Sequence, residues 1–211
     1  MAGGSSSSGD ELHARLGLAL QILEHLHRRQ ARSDTRGVMT VTEQLMWDGR
    51  LLTLSWSSAP VQPPRELVTQ ASGVCFTGDG KVVLVAGVDQ CWALPGGHPE
   101  PGETIEQAFI REVKEEACAI VQHLAYLGAR QVDDPGSTTE PPQYYQARFW
   151  ARVQLERFEP KFETRHRMLV TPAEVLAALG WKTSRIGETL LEGALAAENH
   201  FVAMNEQCTP A

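Results

Sequence analysis

The residues best equipped for chemistry crowd into one stretch, Trp92 to Ile120, which carries Glu103, Glu112, Glu115 and Glu116 behind a glycine-rich loop. Trp92-Ala93-Leu94 has strand character, and Pro95-Gly96-Gly97 with Pro99, Pro101 and Gly102 breaks it into a loop. Thr104 followed by Gln107 forms a capping-box pattern, and no proline or glycine interrupts the chain from Glu103 to Ile120, so a helix is expected there. At about 100° per residue, Ile105, Phe109, Glu112 and Glu116 fall within about 60° of one another, with Ala108 and Glu115 beside them. The carboxylates therefore continue an apolar face. A merely solvated acidic face would lie opposite it. Glu112 and Glu116 are also like charges at i, i+4, which costs an isolated helix about 0.2–0.5 kcal/mol, and more against a protein body unless something positive neutralises them. A divalent cation does so most simply, and oxygen-only ligands select a hard ion, Mg²⁺ first and Mn²⁺ second. Arg111 adjoins Glu112 and is placed to orient the carboxylates, while Glu103 meets the positive end of the helix dipole.

Gly97, Glu103 and the run Arg111-Glu112-Val113-Lys114-Glu115-Glu116 together resemble the Nudix box, and Trp92-Ala93-Leu94-Pro95-Gly96 is similar to the usual approach to it. Two departures close the motif: Cys118 stands where a glycine is usual, and Ala119 replaces a larger aliphatic residue, although Ile120 follows. They bear on the end of the helix more than on metal binding. The resemblance implies that Glu112 and Glu116 are metal ligands, that Glu115 and the carbonyl of Gly97 add to them, and that Arg111 and Glu103 support the set. It also implies hydrolysis of a phosphoanhydride in a nucleoside diphosphate linked to another group, with ADP-ribose-like sugars, dinucleotides and nucleoside triphosphates all open as substrates. An acid from a loop ahead of the final strand often joins such a site. Glu163 is the candidate, against a plain surface ion pair to Arg165 or Arg167. Glu112, Glu116 and Glu163 are thus the candidates for the base, and the assignment stays open. Tyr144, Tyr145 and Trp92 either stack on a base or belong to the core. A Nudix module that binds a nucleotide without cleaving it is the alternative function, opposed by the complete acidic set. An isomerase of prenyl diphosphates is opposed because its box usually has altered glutamates.

The remaining chain has to position this stretch. At 211 residues it suits one medium domain with appendages. A net charge of −7 argues against a duplex nucleic-acid partner, but not against a small phosphorylated molecule whose charge a metal offsets. Cys75, Cys91, Cys118 and Cys208 have no metal-ligand spacing and read as reduced thiols of a cytoplasmic protein. No membrane span or signal sequence is expected.

Residues 1–10, rich in glycine and serine, read as a disordered tail. From Glu11 to about Arg32, Leu12, Leu16, Leu20, Leu23 and Leu26 mark an amphipathic helix that packs on its own domain or serves as a homodimer contact. A hairpin with Asp48-Gly49 at its turn follows, then the proline-rich linker 57–64. Residues 11–64 are thus expected to form an N-terminal extension and 65–207 the catalytic domain. Within it, strands are expected at Val68–Phe76, Lys81–Ala86, Gln90–Leu94, Val121–Val132, Gln143–Val153 and Met168–Val170. The long polar loop 133–142 becomes a rim of the substrate pocket. In Gln143–Val153, Tyr145, Ala147, Phe149, Ala151 and Val153 share one face, while Gln146, Arg148 and Arg152 share the other with Tyr144 and Trp150. Thr171-Pro172-Ala173-Glu174 opens a helix, and a last helix covers about Ile186 to Glu198. This order is α/β: a mixed sheet flanked by helices, which the resemblance makes the α/β/α Nudix sandwich.

Overall fold

The computed structural model describes residues 41–47, 49–138 and 140–207. The expected tail at 1–10 and helix at 11–32 lie outside the described residues. Nine strands form one sheet: β1 (Val41–Trp47), β2 (Arg50–Ser58), β3 (Val68–Phe76), β4 (Val82–Ala86), β5 (Trp92–Ala93), β6 (Gly96–Gly97), β7 (Ala119–Asp133), β8 (Gln143–Leu155) and β9 (His166–Val170). Along the sheet the order is β1-β2-β7-β8-β3-β4-β5, with β6 beside β3 and β9 beside β4. β3 and β8 run parallel, from Val68↔Tyr145 to Phe76↔Arg152, and the other pairs are antiparallel. The helices are α1 (Ile105–Ala117), the short α2 (Val175–Ala178) and α3 (Arg185–Gln207). Among the described residues no helix is long and apolar enough to cross a membrane.

α1 and α3 cover opposite faces of the sheet because strand side chains alternate between them. On one face Ile105, Ala108, Phe109, Val113 and Ala117 of α1 join Ala71, Tyr126, Ala147, Phe149 and Val153. Phe109 stacks on Phe149 with ring centroids 4.9 Å apart. On the other face Ile186, Leu190, Ala194, Ala197 and Phe201 of α3 join Leu54, Trp56, Val74, Leu84 and Trp150. α3 is also tied down by polar groups. Trp150 Nε1 donates to Glu198 Oε2 at 3.0 Å, and Arg152 pairs with the same carboxylate while donating to the Thr77 carbonyl at 2.8 Å. The helix continues past the expected Glu198 because Phe201 buries against Trp150.

The proline-rich stretch joins two strands of one sheet: β2 pairs with β7 from Thr53↔Asp133 to Ser58↔Gly128, and Leu52, Leu54 and Trp56 enter the α3-side core. One expectation needs correcting. The strand expected over Gln90–Leu94 shortens to Trp92–Ala93, since Gln90 holds a positive φ of 58° and cannot continue an extended run.

Candidate active site

The acidic helix starts as its capping box requires: Gln107 N donates to Thr104 Oγ1 at 3.1 Å, and Thr104 N donates back to Gln107 Oε1 at 2.8 Å. It stops one turn earlier than the uninterrupted pattern suggested. Cys118 adopts the left-handed conformation, φ 46° and ψ 56°, in which glycine sits without strain. The departure from the Nudix pattern thus falls where the backbone calls for a glycine. Arg167 caps this end, donating to the carbonyls of Ala117 at 2.7 Å and Cys118 at 3.1 Å.

Arg111 is the hub of the acidic cluster. Its Nε donates to Glu103 Oε1 at 2.9 Å, its Nη1 to Glu112 Oε1 at 2.8 Å and Glu115 Oε2 at 3.2 Å, and its Nη2 to the His98 carbonyl at 3.0 Å. One guanidinium therefore binds three carboxylates and the glycine loop together. The contact with Arg111, helped by the Glu100 amide, holds the Glu103 carboxyl below its usual range. Glu116 points the other way and accepts from the Gly96 amide at 2.8 Å. Its carboxyl is pushed up to about 7, first by burial, and then by the charges of Glu112, Glu163 and Glu115 working against the Gly96 hydrogen bond. Burial likewise raises Glu112, with Arg111 opposing it.

The loop makes room for these acids by lacking side chains. Gly96 has φ 148°, and a Cβ there would lie 2.3 Å from the Ala71 carbonyl. A Cβ on Gly97 would lie 2.3 Å from Glu112 Oε1. Glu112 thus rests directly against the Gly97 backbone, which brings together two of the groups expected to share a metal.

Glu163 is exposed in the loop that precedes β9, and its charge is felt by both Glu112 and Glu116. Among the described residues it forms no ion pair. Arg165 donates to the carbonyls of Phe162 and Thr164, and Arg167 is spent on the end of α1. A cleft of about 550 Å³ separates α1 from this loop, lined by Arg111, Lys114, Glu115, Arg157, Lys161 and Phe162 among others. Loop 133–142 reaches the site through His98 Nε2 and Glu140 Oε1, 3.1 Å apart.

The three aromatic candidates do not share a side. Trp92 and Tyr144 pack against the α3-side core, whereas Tyr145 packs against the α1 side with its hydroxyl on Gln131 Oε1 at 3.0 Å. Adjacent residues of a strand face opposite ways, so Tyr144 and Tyr145 cannot stack on the same base. Among the described residues no three His, Cys, Asp or Glu side chains converge on one point, because Arg111 draws Glu112 and Glu115 one way and the Gly96 amide draws Glu116 the other. The donors themselves suit a hard dication, being all oxygen, clustered on one helix and set against a glycine loop that a Cβ would obstruct.

A polar group that the sequence did not single out lies on the other face of the sheet, where Arg130, Arg148, Gln70, Gln146 and Ser72 bond to one another. Its only advance sign was the Gln146, Arg148, Arg152 alternation, which reads equally well as a solvated strand face.

The family profile described as the NUDIX domain matches residues 67–189, more than half of the chain, and the chain belongs to that family. It is 46% identical over 59 residues to the putative 8-oxo-dGTP diphosphatase YtkD of Bacillus subtilis, covering 28% of this chain and 37% of that protein. It is 40% identical over 60 residues to the ADP-ribose pyrophosphatase of Methanocaldococcus jannaschii, covering 26% and 36%. The matches therefore span little more than a third of these relatives. Among solved structures, the Bacillus subtilis pyrophosphohydrolase BsRppH superposes with a TM-score of 0.49 at 28% identity, over 61% of this chain and 77% of that one.

Proposed function

We propose that this protein hydrolyses a phosphoanhydride bond in a nucleoside diphosphate linked to another moiety, using Mg²⁺ or Mn²⁺. The observation that carries the reading is the gathering of Glu112 and Glu116 with the charge of Glu163 beside the side-chain-free Gly96–Gly97 loop. Glu112, Glu115, Glu116 and the Gly97 carbonyl would hold the ion. When bound, it would neutralise phosphoryl oxygens and acidify a coordinated water. The chain's own groups do the rest. Arg111 fixes the rotamers of Glu112 and Glu115 and anchors them to the loop through Glu103 and the His98 carbonyl. The Gly96 amide orients Glu116. Glu163, with no arginine partner among the described residues, is our assignment for the group that takes the proton from the attacking water. Trp92 and Tyr144, on the same side of the sheet, are the pair suited to contact the nucleoside. The three described cysteines, Cys75, Cys91 and Cys118, are free thiols, which suits a reducing compartment such as the cytoplasm.

The names of the relatives make 8-oxo-dGTP and ADP-ribose the first substrates to offer. The test is a panel of nucleoside diphosphate derivatives with Mg²⁺ or Mn²⁺, read as phosphate released after phosphatase coupling. Turnover that disappears in both Glu112→Gln and Glu116→Gln, with the fold intact by circular dichroism, is the expected result. Full activity in both variants rules the cluster out, and tight binding with no turnover selects a nucleotide sensor instead.

A further inference from the structure

β3, β7 and β8 bring two arginines together on the α3 side of the sheet. Arg148 is 3% exposed, and its Nη1 donates to Ser72 Oγ at 2.5 Å and Gln70 Oε1 at 3.0 Å, while its Nη2 donates to Gln146 Oε1 at 2.9 Å. Arg130 pairs in register with Gln146 and donates to that same Oε1 from Nε at 2.8 Å and also from Nη2. One neutral carboxamide oxygen thus serves two guanidiniums. All their partners among the described residues are neutral.

The contrast within β8 is informative. Arg152, on the same face four residues along, receives the Glu198 carboxylate, but among the described residues none reaches Arg148. Glu43 is close enough for its charge to act on Arg130, yet its oxygens are committed to Ser184 Oγ and the amides of Arg185 and Ile186 at the start of α3. Two adjacent buried cations without a counter-charge are costly. Burial holds both guanidiniums below the usual arginine range, and the charge of Arg130 lowers Arg148 further. Arg130 is mostly buried but keeps some exposure, so the pair has one edge toward solvent. Tyr144 stands near that edge.

Ser72 pairs with Gly96 on one side and with Arg148 on the other. The Arg148 backbone therefore lies two strand spacings, about 10 Å, from the loop that meets Glu112 and Glu116, with its side chain on the α3 face of the sheet. An extended phosphorylated molecule can span that distance.

We propose that Arg130 and Arg148, with Ser72, Gln70 and Gln146 holding them in place, form a binding site for phosphoryl oxygens at a distance from the acidic cluster. The nucleotide-hydrolase reading identifies the bearer of those oxygens as the substrate, but the site itself does not depend on a metal. The guanidiniums supply forked donors and a charge that no described carboxylate pairs with.

The test is calorimetric titration of the full chain in EDTA with inorganic pyrophosphate, ADP and adenosine. The wild type should bind the first two and not adenosine, and rising salt should weaken both. Arg148→Gln and Arg130→Gln should each weaken binding about ten- to a hundredfold. Tighter binding of ADP than of pyrophosphate assigns a nucleotide-borne phosphate, and equal affinities assign the free anion. Arg148→Gln should also melt no lower than wild type without ligand, since it removes an unbalanced buried charge. Absence of pyrophosphate and ADP binding in the wild type, unchanged affinity in both variants, or a lowered melting temperature in Arg148→Gln overturns the proposal. Glu116→Gln should still bind ADP in EDTA. A wild-type protein that binds in this way yet cleaves none of the panel would sink the hydrolase reading and leave this site standing.

Discussion

Gly97→Ala is expected to cut turnover about a hundredfold while leaving the fold in place. An added Cβ would lie 2.3 Å from Glu112 Oε1 and 2.6 Å from its Cδ, whereas ordinary contact begins at 3.4 Å. The carboxylate must therefore retreat by about 1 Å, the difference between 3.4 and 2.3 Å. Gly97 itself is not among the glycines of positive φ, so alanine suits its backbone and the strain falls on Glu112. Glu112 is free to swing about its own χ angles, at the cost of its 2.8 Å contact with Arg111. The stability change should stay within about 1 kcal/mol, the scale of one off-rotamer side chain. A misplacement of about 1 Å in a reacting centre costs on the order of a hundredfold in rate, or about 2.7 kcal/mol of barrier. The assay is steady-state turnover over a Mg²⁺ titration, with thermal melting as the control for folding. A second arm repeats the substitution in a Glu112→Gln background and follows Mn²⁺ affinity by calorimetry. If alanine acts through Glu112, the two losses should be far from additive. Wild-type turnover in Gly97→Ala, or fully additive losses, would refute the reasoning.

Three other substitutions probe neighbouring links. Glu163→Gln should slow turnover at least tenfold with little change in KM if this acid accepts the proton, whereas a surface group would leave both unchanged. Glu198→Ala should cost about 3–5 kcal/mol by stranding Arg152 in the core, lowering the melting temperature by on the order of 10 °C. A loss below about 1 kcal/mol in urea unfolding would show that Arg152 finds another partner. Cys118→Gly should come out within about 1 kcal/mol of neutral. Relief of about 1–2 kcal/mol of left-handed strain is set against about 0.4–1 kcal/mol of unfolded-state entropy and the lost burial of the thiol. A large destabilisation would mean that the thiol packs better than its backbone angle suggests.

Much of the architecture could be read from local patterns. The capping box at Thr104 is present, Pro172 sits at the first helical position after Thr171, and β3 has its expected bounds. The alternation in β8 does separate Ala147, Phe149 and Val153 from Trp150. Long-range context explains the rest. Arg148 and Arg152 look like solvent-facing residues of a strand, and only the cover of neighbouring strands and α3 makes them buried. The linker by composition could not reveal that β2 finds its partner in β7, because that pairing is set by Leu54 and Trp56 joining the core. In the site, the glutamates were legible as one stripe. That Arg111 would bind Glu103, Glu112 and Glu115 at once depended on the loop folding back over the helix.

The parallel pairing of β3 with β8 has a bearing on biosynthesis. The two strands are separated in the chain by the whole acidic helix and β7, and the ring beneath Phe109 belongs to Phe149 of β8. During translation the helix leaves the ribosome after β3 and β4 but before β7 and β8, so the part of its apolar side that meets Tyr126 and Phe149 stays uncovered until those strands follow. Long-range pairing of this kind slows folding and exposes the nascent chain to aggregation. Chains truncated before Phe149 should therefore accumulate as chaperone substrates even though every residue of the acidic motif has already been synthesised.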